Sequence, residues 1–292
     1  MPALPFKQVD VFTSQRFKGN PVAVVLEGDG LSDEQMQQIA HWTNLSETTF
    51  VLTPTHADAD YRVRIFTPGA ELPFAGHPTI GTAHALLEAG RVRASGGKLI
   101  QQCKAGLIAL RVDDGGDDAR WISFTLPPAT LTPLPADELT ALTALLGAAP
   151  VTTPLLVDVG PRWVVVQLAD ADAVLALTPD IARLKTLDAA GQRTGVVVFG
   201  RHSASAAGDY EMRAFAPAHG INEDPVCGSG AGCLGAYVRH TEQVQGQVRE
   251  HDLVLRQGQV VARDGKIRLG IRADAITVGG NAVTCIDGTI EA

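Results

Sequence analysis

Residues 223–233 read EDPVCGSGAGC, a run of small residues with an acid before it. The apolar segment at 233–238 predicts a helix that begins at this turn. Glycines let backbone N–H groups approach a ligand closely, and the N-terminus of a helix favours negative charge. The stretch is therefore typical of a carboxylate or phosphate site, although an ordinary glycine-rich turn has the same composition.

A second stretch repeats this pattern in the first half of the chain. Residues 71–81 read ELPFAGHPTIG and share the Glu, Pro and Gly of the first stretch. The shared glycines, Gly76 and Gly228, are 152 positions apart (76 to 228), and upstream Arg64 and Arg213 are 149 apart (64 to 213). The same Phe and Pro follow each arginine. Because this offset is close to half of the 292-residue chain, the sequence predicts two similar domains, with a short insertion in the second.

The composition excludes several classes of protein. The chain is 45% apolar and 19% charged, and its 24 basic and 32 acidic residues give a net charge of −8. We see no Lys/Arg cluster and expect no nucleic-acid partner. The N-terminus lacks a signal-peptide pattern and no apolar run is long enough to span a bilayer, so we expect no membrane partner and a cytoplasmic location. The four cysteines have no zinc spacing, which predicts no metal site.

Local signals set the fold class and the domain ranges. Residues 32–35 read SDEQ, a capping box that predicts a helix to about residue 42. The proline-rich segment at 126–135 predicts a linker, which gives domains at 1–127 and 128–281, with the last strand near 282–292 able to pack back onto the first domain. An acidic hairpin loop is predicted at 113–118. Many short strands and one main helix in each half predict an α+β fold.

Three further polar side chains are candidates for chemistry. Glu47 begins a predicted strand. If it is partly buried, its carboxyl group would have a raised pKa and could exchange protons near neutral pH. Most carboxylates at the start of a strand are instead solvated charges. His77 lies at a predicted helix N-terminus, where the imidazolium is disfavoured, so it is either a neutral proton-exchanging side chain or a simple cap. Asn20 lies in a Gly-Asn-Pro turn from which it could reach a ligand.

The chain resembles the PhzF-like isomerase family of phenazine biosynthesis, which shares the diaminopimelate epimerase-like fold. The resemblance rests on four stretches in family order: DVFT with FKGNP at 10–21, NLSET at 44–48, ELPFAGHPT at 71–79 and EDPVCGS at 223–229. It implies two similar domains, each a β-barrel-like sheet around a central helix, with the active site between them. It also implies no metal, no organic cofactor and a homodimer.

The resemblance further implies a cofactor-independent isomerase that shifts a proton, and with it a double bond, on a small carboxylate substrate. The family's catalytic glutamate falls on Glu47, and its assisting histidine and aspartate fall on His77 and Asp224. The small residues that hold the substrate carboxylate fall on Gly76, Gly228 and Ser229, and Asn20 is a further substrate-binding candidate.

Three other functions stay open at this point. The epimerase branch of the fold uses one cysteine in each turn; here the second turn has Cys227, but the matching first-turn residue is Ala75. A helix N-terminus could lower the pKa of Cys227, so an epimerase or dehydratase that depends on this thiol is an alternative to a small packed residue. A non-catalytic protein that binds a small acid is another. A dinucleotide-binding oxidoreductase would need G-x-G-x-x-G, and position 233 is Cys.

Overall fold

The structure, a computed structural model, describes residues 3–114, 120–203, 208–246 and 249–292. The chain divides into two units, the first made of residues 1–124 with 279–292 and the second of residues 125–278. The ranges predicted from the sequence were 1–127 and 128–281, with the last strand returning to the first. The acidic hairpin loop predicted at 113–118 lies mostly outside the described residues.

Strands and helices follow one another along the chain as follows. The first unit begins with β1 (Ala3–Val11), β2 (Asn20–Val25), α1 (Asp33–Thr43), β3 (Glu47–Leu52), β4 (Tyr61–Phe66), β5 (Glu71–Leu72), α2 (Gly76–Glu88), β6 (Lys98–Cys103), β7 (Gly106–Asp113) and β8 (Trp121–Thr125). The second unit contains β9 (Thr130–Pro133), α3 (Ala136–Leu146), β10 (Leu155–Asp158), β11 (Arg162–Gln167), α4 (Ala171–Leu175), α5 (Ile181–Ala190), β12 (Gly195–Arg201), β13 (Tyr210–Ala216), β14 (Ile221–Asp224), α6 (Gly228–Val244), β15 (His251–Gln257), β16 (Gly265–Ile271) and β17 (Ile276–Gly280). The chain ends in β18 (Ala282–Glu291).

Both units use the same order of strands. In the first unit the order is β18-β1-β2-β3-β4-β6-β7-β8, in which β2–β3 and β4–β6 are parallel and the other neighbours antiparallel. In the second unit it is β9-β10-β11-β12-β13-β15-β16, with β11–β12 and β13–β15 parallel. The short strands β5 and β14 pair with β4 and β13. The predicted α+β class, built from two similar halves, is confirmed.

One helix in each unit is surrounded by its sheet. Helix α2 packs against β1, β2, β3 and β18, and α6 packs against β10, β11, β12 and β16. Nearly every residue of α2 is buried, as are residues 230–238 of α6. A helix without a polar face belongs inside a core rather than on a surface. These two helices are the central helices expected from the sequence.

Glycine sets how closely α2 approaches its sheet. A Cβ atom at Gly81 would lie 2.4 Å from Cγ1 of Val22 and 2.9 Å from Cγ2 of Val11, both fully buried valines. These branched side chains are stiff at χ1 and have little freedom to move aside. The glycine therefore lets the helix backbone lie directly on β1 and β2.

Arg64 and Glu71, two residues of the first repeat, form an ion pair within the first unit. Arg64 donates through Nε to Oε1 of Glu71 at 2.8 Å and through Nη2 to Oε2 at 3.1 Å. Its guanidinium also lies over the ring of Phe66, 5.0 Å from the centroid. This bidentate pair joins β4 to the short strand β5 just before the turn that leads into α2.

Arg213 and Glu223, the matching residues of the second repeat, form the same bidentate ion pair within the second unit. Arg213 donates to both carboxylate oxygens of Glu223, at 2.9 and 2.8 Å, and lies 5.0 Å from the centroid of Phe215. It also donates to the carbonyl groups of Val174 and Leu177. The Arg, Phe and Glu of the sequence repeat are thus explained by structure, since they hold each turn against its sheet.

No helix among residues 3–114, 120–203, 208–246 and 249–292 is long and apolar enough to cross a membrane.

We predict that Gly81→Ala lowers the free energy of unfolding by roughly 1–3 kcal/mol, because the added methyl group overpacks the contact with the two valines. The gain in helix propensity from alanine, about 1 kcal/mol, opposes this effect only in part. Urea unfolding followed by far-UV circular dichroism measures the change.

The matched control is Gly69→Ala, where an added Cβ meets nothing within 4 Å and the backbone is not left-handed. Equal stability of the Gly81→Ala variant and this control would contradict the close approach of α2 to the sheet.

Candidate active site

Glu47 and His77 are brought together in the first unit. Glu47 is the first residue of β3, opposite Val22 of β2, and His77 is the second residue of α2. Oε2 of Glu47 lies 3.3 Å from Nε2 of His77, and the two side chains are only 15% and 8% exposed. The start of α2 thus places the imidazole of His77 beside the carboxyl group at the start of β3.

Burial keeps His77 neutral, and its hydrogen bond to Pro21 determines which ring nitrogen carries the proton. Burial lowers the pKa of His77 to about 3, although a hydrogen bond to the backbone of Pro21 favours the charged form. Proline has no N–H, so its carbonyl oxygen accepts and the ring donates. Since Nε2 is directed at Glu47, we assign this donor to Nδ1. Nε2 then presents a lone pair to the carboxyl group.

Asn20 and Gly76 lie beside this pair. Asn20 is the first residue of β2, fully buried, and precedes the proline whose carbonyl oxygen binds His77. Gly76 is the first residue of α2, and a Cβ there would lie 2.8 Å from the ring of Phe124. The structure therefore groups the four site residues predicted in the first half, and it explains the glycine by close packing.

A buried polar clamp that the sequence analysis missed holds the start of α2. Nε2 of Gln101 donates to Oγ1 of Thr79 at 3.0 Å, and the hydroxyl group of Tyr61 donates to Oε1 of Gln101 at 3.1 Å. Thr79 and Gln101 are fully buried and Tyr61 nearly so. These bonds fasten the residue two positions after His77 to β4 and β6. Tyr210 holds the matching position of the second repeat and was the available signal.

The second glycine-rich turn groups Asp224, Cys227 and Ser229 in the second unit. Asp224 ends β14, and its Oδ1 accepts from the N–H of Val226 at 3.0 Å. Cys227 is the N-cap of α6, and its Sγ accepts from the N–H of Gly230 at 3.3 Å. Oγ of Ser229 lies 3.6 Å from this sulfur. Gly228 is the first residue of the helix, as Gly76 is in α2.

One side chain holds the backbone of this turn on both sides. Oε1 of Gln257 accepts from the N–H of Cys227 at 2.8 Å, while its Nε2 donates to the carbonyl oxygen of Asp224 at 2.7 Å. Gln257 is almost fully buried at the end of β15. Its amide thus satisfies polar backbone groups that a tight turn would otherwise leave without partners. No motif in the sequence marks this residue.

Of the two alternatives for Cys227, the structure contradicts the one with a lowered pKa. Burial of the thiol, which is 3% exposed, and the nearby charge of Asp224 raise its pKa well above the ordinary value. The helix N-terminus does not overcome these effects, because both penalise the thiolate directly. The equivalent N-cap of α2 is Ala75, as the repeat alignment requires. A thiol is present at one helix start and absent from the other.

Asp224 keeps its proton to a higher pH than an exposed aspartate does. Burial raises the pKa of its carboxyl group to about 6, while the hydrogen bonds from Val226 and from the Cys227 thiol oppose the shift. A carboxyl group in this range holds or releases a proton near neutral pH, as acid–base chemistry requires. Among the described residues, no group of three or more His, Cys, Asp or Glu side chains could hold a metal ion.

We predict that Asp224→Asn stabilises the protein more at pH 7.5 than at pH 3.5. The folded state favours the proton, so the wild-type carboxyl group costs stability as the pH rises from 3.8 through about 6, and asparagine has no such cost. The difference between the two pH values is at most roughly 3 kcal/mol and smaller for a partly exposed carboxyl group. Urea unfolding at both pH values measures it.

Asp274→Asn, at an exposed side chain, serves as the control. An effect of Asp224→Asn that is the same at both pH values would contradict the shifted titration.

Comparison with known proteins places these observations in a family. The family model described as phenazine biosynthesis-like protein, PhzC-PhzF, matches residues 9–288. Antisense-enhancing sequence 1 of Schizosaccharomyces pombe is 42% identical over 293 residues and covers 97% of each chain. Trans-2,3-dihydro-3-hydroxyanthranilate isomerase of Pseudomonas chlororaphis is 37% identical over 289 residues, again with 97% of each chain covered.

Solved structures agree with the sequence relatives. The crystal structure of the Bacillus anthracis phenazine biosynthesis protein of the PhzF family has a TM-score of 0.89 at 25% identity and covers 100% of both chains. A hydroxyproline epimerase from Agrobacterium vitis has a TM-score of 0.60 at 16% identity, covers 99% of this chain and 93% of its own, and shows the shared fold alone. The predicted diaminopimelate epimerase-like fold is confirmed, and the chain belongs to the PhzC-PhzF family of phenazine biosynthesis-like proteins.

Proposed function

We propose that this protein is an isomerase that moves a proton between two carbons of a small, unsaturated carboxylate, with Glu47 as the general acid and base. The observation that carries the proposal is the buried contact of Glu47 with a neutral His77, at 3.3 Å between Oε2 and Nε2. Membership of a family in which several relatives are named isomerases supports the reaction class.

A proton that Glu47 takes from the substrate stays on its carboxyl group and does not pass to His77. An imidazolium at position 77 is strongly disfavoured by burial, so the ring offers Nε2 only as an acceptor. A protonated carboxyl group donates to that lone pair, while a carboxylate oxygen does not. His77 therefore stabilises the acid form that Glu47 reaches after it takes a proton from the substrate, which is how a positioned partner assists a general base.

The substrate of the named relatives fits this chemistry. Trans-2,3-dihydro-3-hydroxyanthranilate is a cyclic diene that carries a carboxylate, an amine and a hydroxyl group. Glu47 removes the proton from the carbon that bears the hydroxyl group, and the electron pair of that C–H bond spreads through the diene towards the carbon that bears the carboxylate. The carboxylic acid of Glu47 then returns the proton there. One C–H bond breaks and one forms, so no atom or electron is gained or lost.

The second glycine-rich turn supplies groups for the carboxylate. Ser229 is partly exposed and lies in the first turn of α6 beside Gly228, where the backbone N–H groups and the helix dipole favour an anion. We assign the binding of the substrate carboxylate to Gly228, Ser229 and Gly76, with Asn20 as a further polar contact. Asp224, with a pKa of about 6, is assigned a supporting role in proton transfer.

The structure offers little support for a reaction that depends on Cys227. Its thiol accepts the helix-capping hydrogen bond from Gly230, is buried and has a raised pKa. A thiolate base would have to break this cap and overcome the charge of Asp224. The proposed reaction assigns every proton transfer to side chains of the chain, so it is cofactor-independent; the homodimer and the cytoplasmic location stay predictions.

We predict that Glu47→Gln lowers the isomerisation rate by roughly 10²–10⁴-fold, because glutamine keeps the shape but neither takes nor returns a proton. The substrate is trans-2,3-dihydro-3-hydroxyanthranilate, and ultraviolet absorbance follows the shift of its diene out of conjugation with the carboxylate. Proton NMR in D₂O measures deuterium incorporation into substrate and product.

Cys227→Ala is the matched control and is expected to stay within about tenfold of the wild-type rate, a loss well below that from removing a general acid–base group. A larger loss in Cys227→Ala than in Glu47→Gln would favour the thiol-dependent alternative. Binding of the diene by the wild-type protein without any deuterium uptake would favour the non-catalytic alternative.

A further inference from the structure

Trp163 contacts Ser229, the serine proposed to bind the substrate carboxylate. It is the second residue of β11 and is 2% exposed. Its Nε1 lies 3.0 Å from Oγ of Ser229. The indole N–H is only a donor, so Oγ must accept. A buried indole also needs a partner for its N–H, which explains why the ring is directed at this oxygen.

This contact limits the directions in which the serine can donate. A hydroxyl group has one hydrogen, and Oγ of Ser229 already accepts from Trp163, so its own O–H must be directed elsewhere. The other contact of Oγ is Sγ of Cys227 at 3.6 Å, a weak acceptor that also receives the N–H of Gly230. A carboxylate oxygen is a much stronger acceptor than a thiol sulfur.

Further hydrogen bonds connect Cys227 to Asp224. The thiol of Cys227 donates to the carboxyl group of Asp224, which also accepts from the N–H of Val226. Trp163 has no alternative to donating, so one lone pair of the Ser229 oxygen is always held at the indole N–H. Such chains strengthen one another within a protein interior.

We propose that Trp163 is a positioning residue that holds the Ser229 hydroxyl group as a donor to the substrate carboxylate. This inference rests on the proposed function, in which Ser229 binds that carboxylate. In the free protein the O–H is directed at Sγ of Cys227, and it turns to the carboxylate when the substrate binds. Without the indole N–H, neither lone pair of the Ser229 oxygen is held at a fixed donor, so the hydroxyl group rotates more freely and part of its orientation is lost.

The test measures the binding of anthranilate, a stable aromatic analogue of the substrate named for the relatives. The chain has three tryptophans, so a spectrum of protein labelled with ¹⁵N at the indole contains few resonances. Trp163→Phe identifies the signal of Trp163. We expect this signal to shift when anthranilate is added, and to exchange faster and respond less in Ser229→Ala.

Affinities separate positioning from packing. We expect Ser229→Ala to weaken anthranilate binding by roughly 10–100-fold, the effect of losing a charge-assisted hydrogen bond. Trp163→Phe should weaken it by about 5–10-fold, and the double variant should bind no worse than Ser229→Ala alone. Replacement of Trp163 by 3-benzothienylalanine, which has sulfur in place of the N–H and nearly the same shape, keeps the test valid if Trp163→Phe folds poorly. Trp42→Phe, at a side chain that is 77% exposed, is the control.

The possible failures are distinct. Unchanged affinity in Ser229→Ala, or no shift of any indole signal with anthranilate in the wild-type protein, would overturn the carboxylate site itself. A loss in Ser229→Ala with wild-type affinity in both Trp163 variants would overturn only the role of the tryptophan. An equal loss from Trp163→Phe with and without Ser229 would show that the ring acts through packing, which also overturns the inference.

Discussion

The close approach of each central helix to its sheet is the constraint on which the candidate site depends. A side chain at Gly81 would collide with two valines, and a Cβ at Gly232 of α6 would lie 2.4 Å from Cδ1 of Leu126. Because the helices lie directly on the strands, the first residues of each helix lie close to the first residues of neighbouring strands. His77 reaches Glu47 for this reason, and Ser229 reaches Trp163 in the same way.

The two units share a scaffold and differ at the helix start. Each has the same strand order and the same arginine clamp on the strand before the turn. The N-caps differ: Ala75 provides no side-chain cap, whereas the Cys227 sulfur accepts a backbone N–H. In α2 the second residue is an acceptor imidazole, and in α6 it is a hydroxyl group. The two equivalent helix starts therefore differ in the side chains of their N-cap and second residues.

Several features followed directly from sequence patterns, because each depends on neighbours along the chain. The capping box at Ser32 is present with both of its hydrogen bonds, and the repeat identified the two turns. The polar side chains that support the site depend on strand pairing instead. Gln101, Gln257 and Trp163 lie on strands distant in sequence from the residues they hold, so no local motif marks them. The sequence left two interpretations of Cys227 open for a related reason, since the helix terminus is visible in the sequence and the burial that raises the pKa of the thiol is not.

The final strand has a consequence for biosynthesis. β18 pairs with β1 over its whole length, from Ala3 opposite Glu291 to Val11 opposite Ala282, and the buried amine of Lys7 binds Asp287, 280 positions away. On the ribosome β1 emerges well before this partner, since Lys7 and Asp287 are 280 positions apart. At roughly 5–20 residues per second, the edge of β1 waits on the order of tens of seconds, and unpaired edges promote aggregation. Residues 125–278 need no such late segment, so translation favours the second unit as the first to fold.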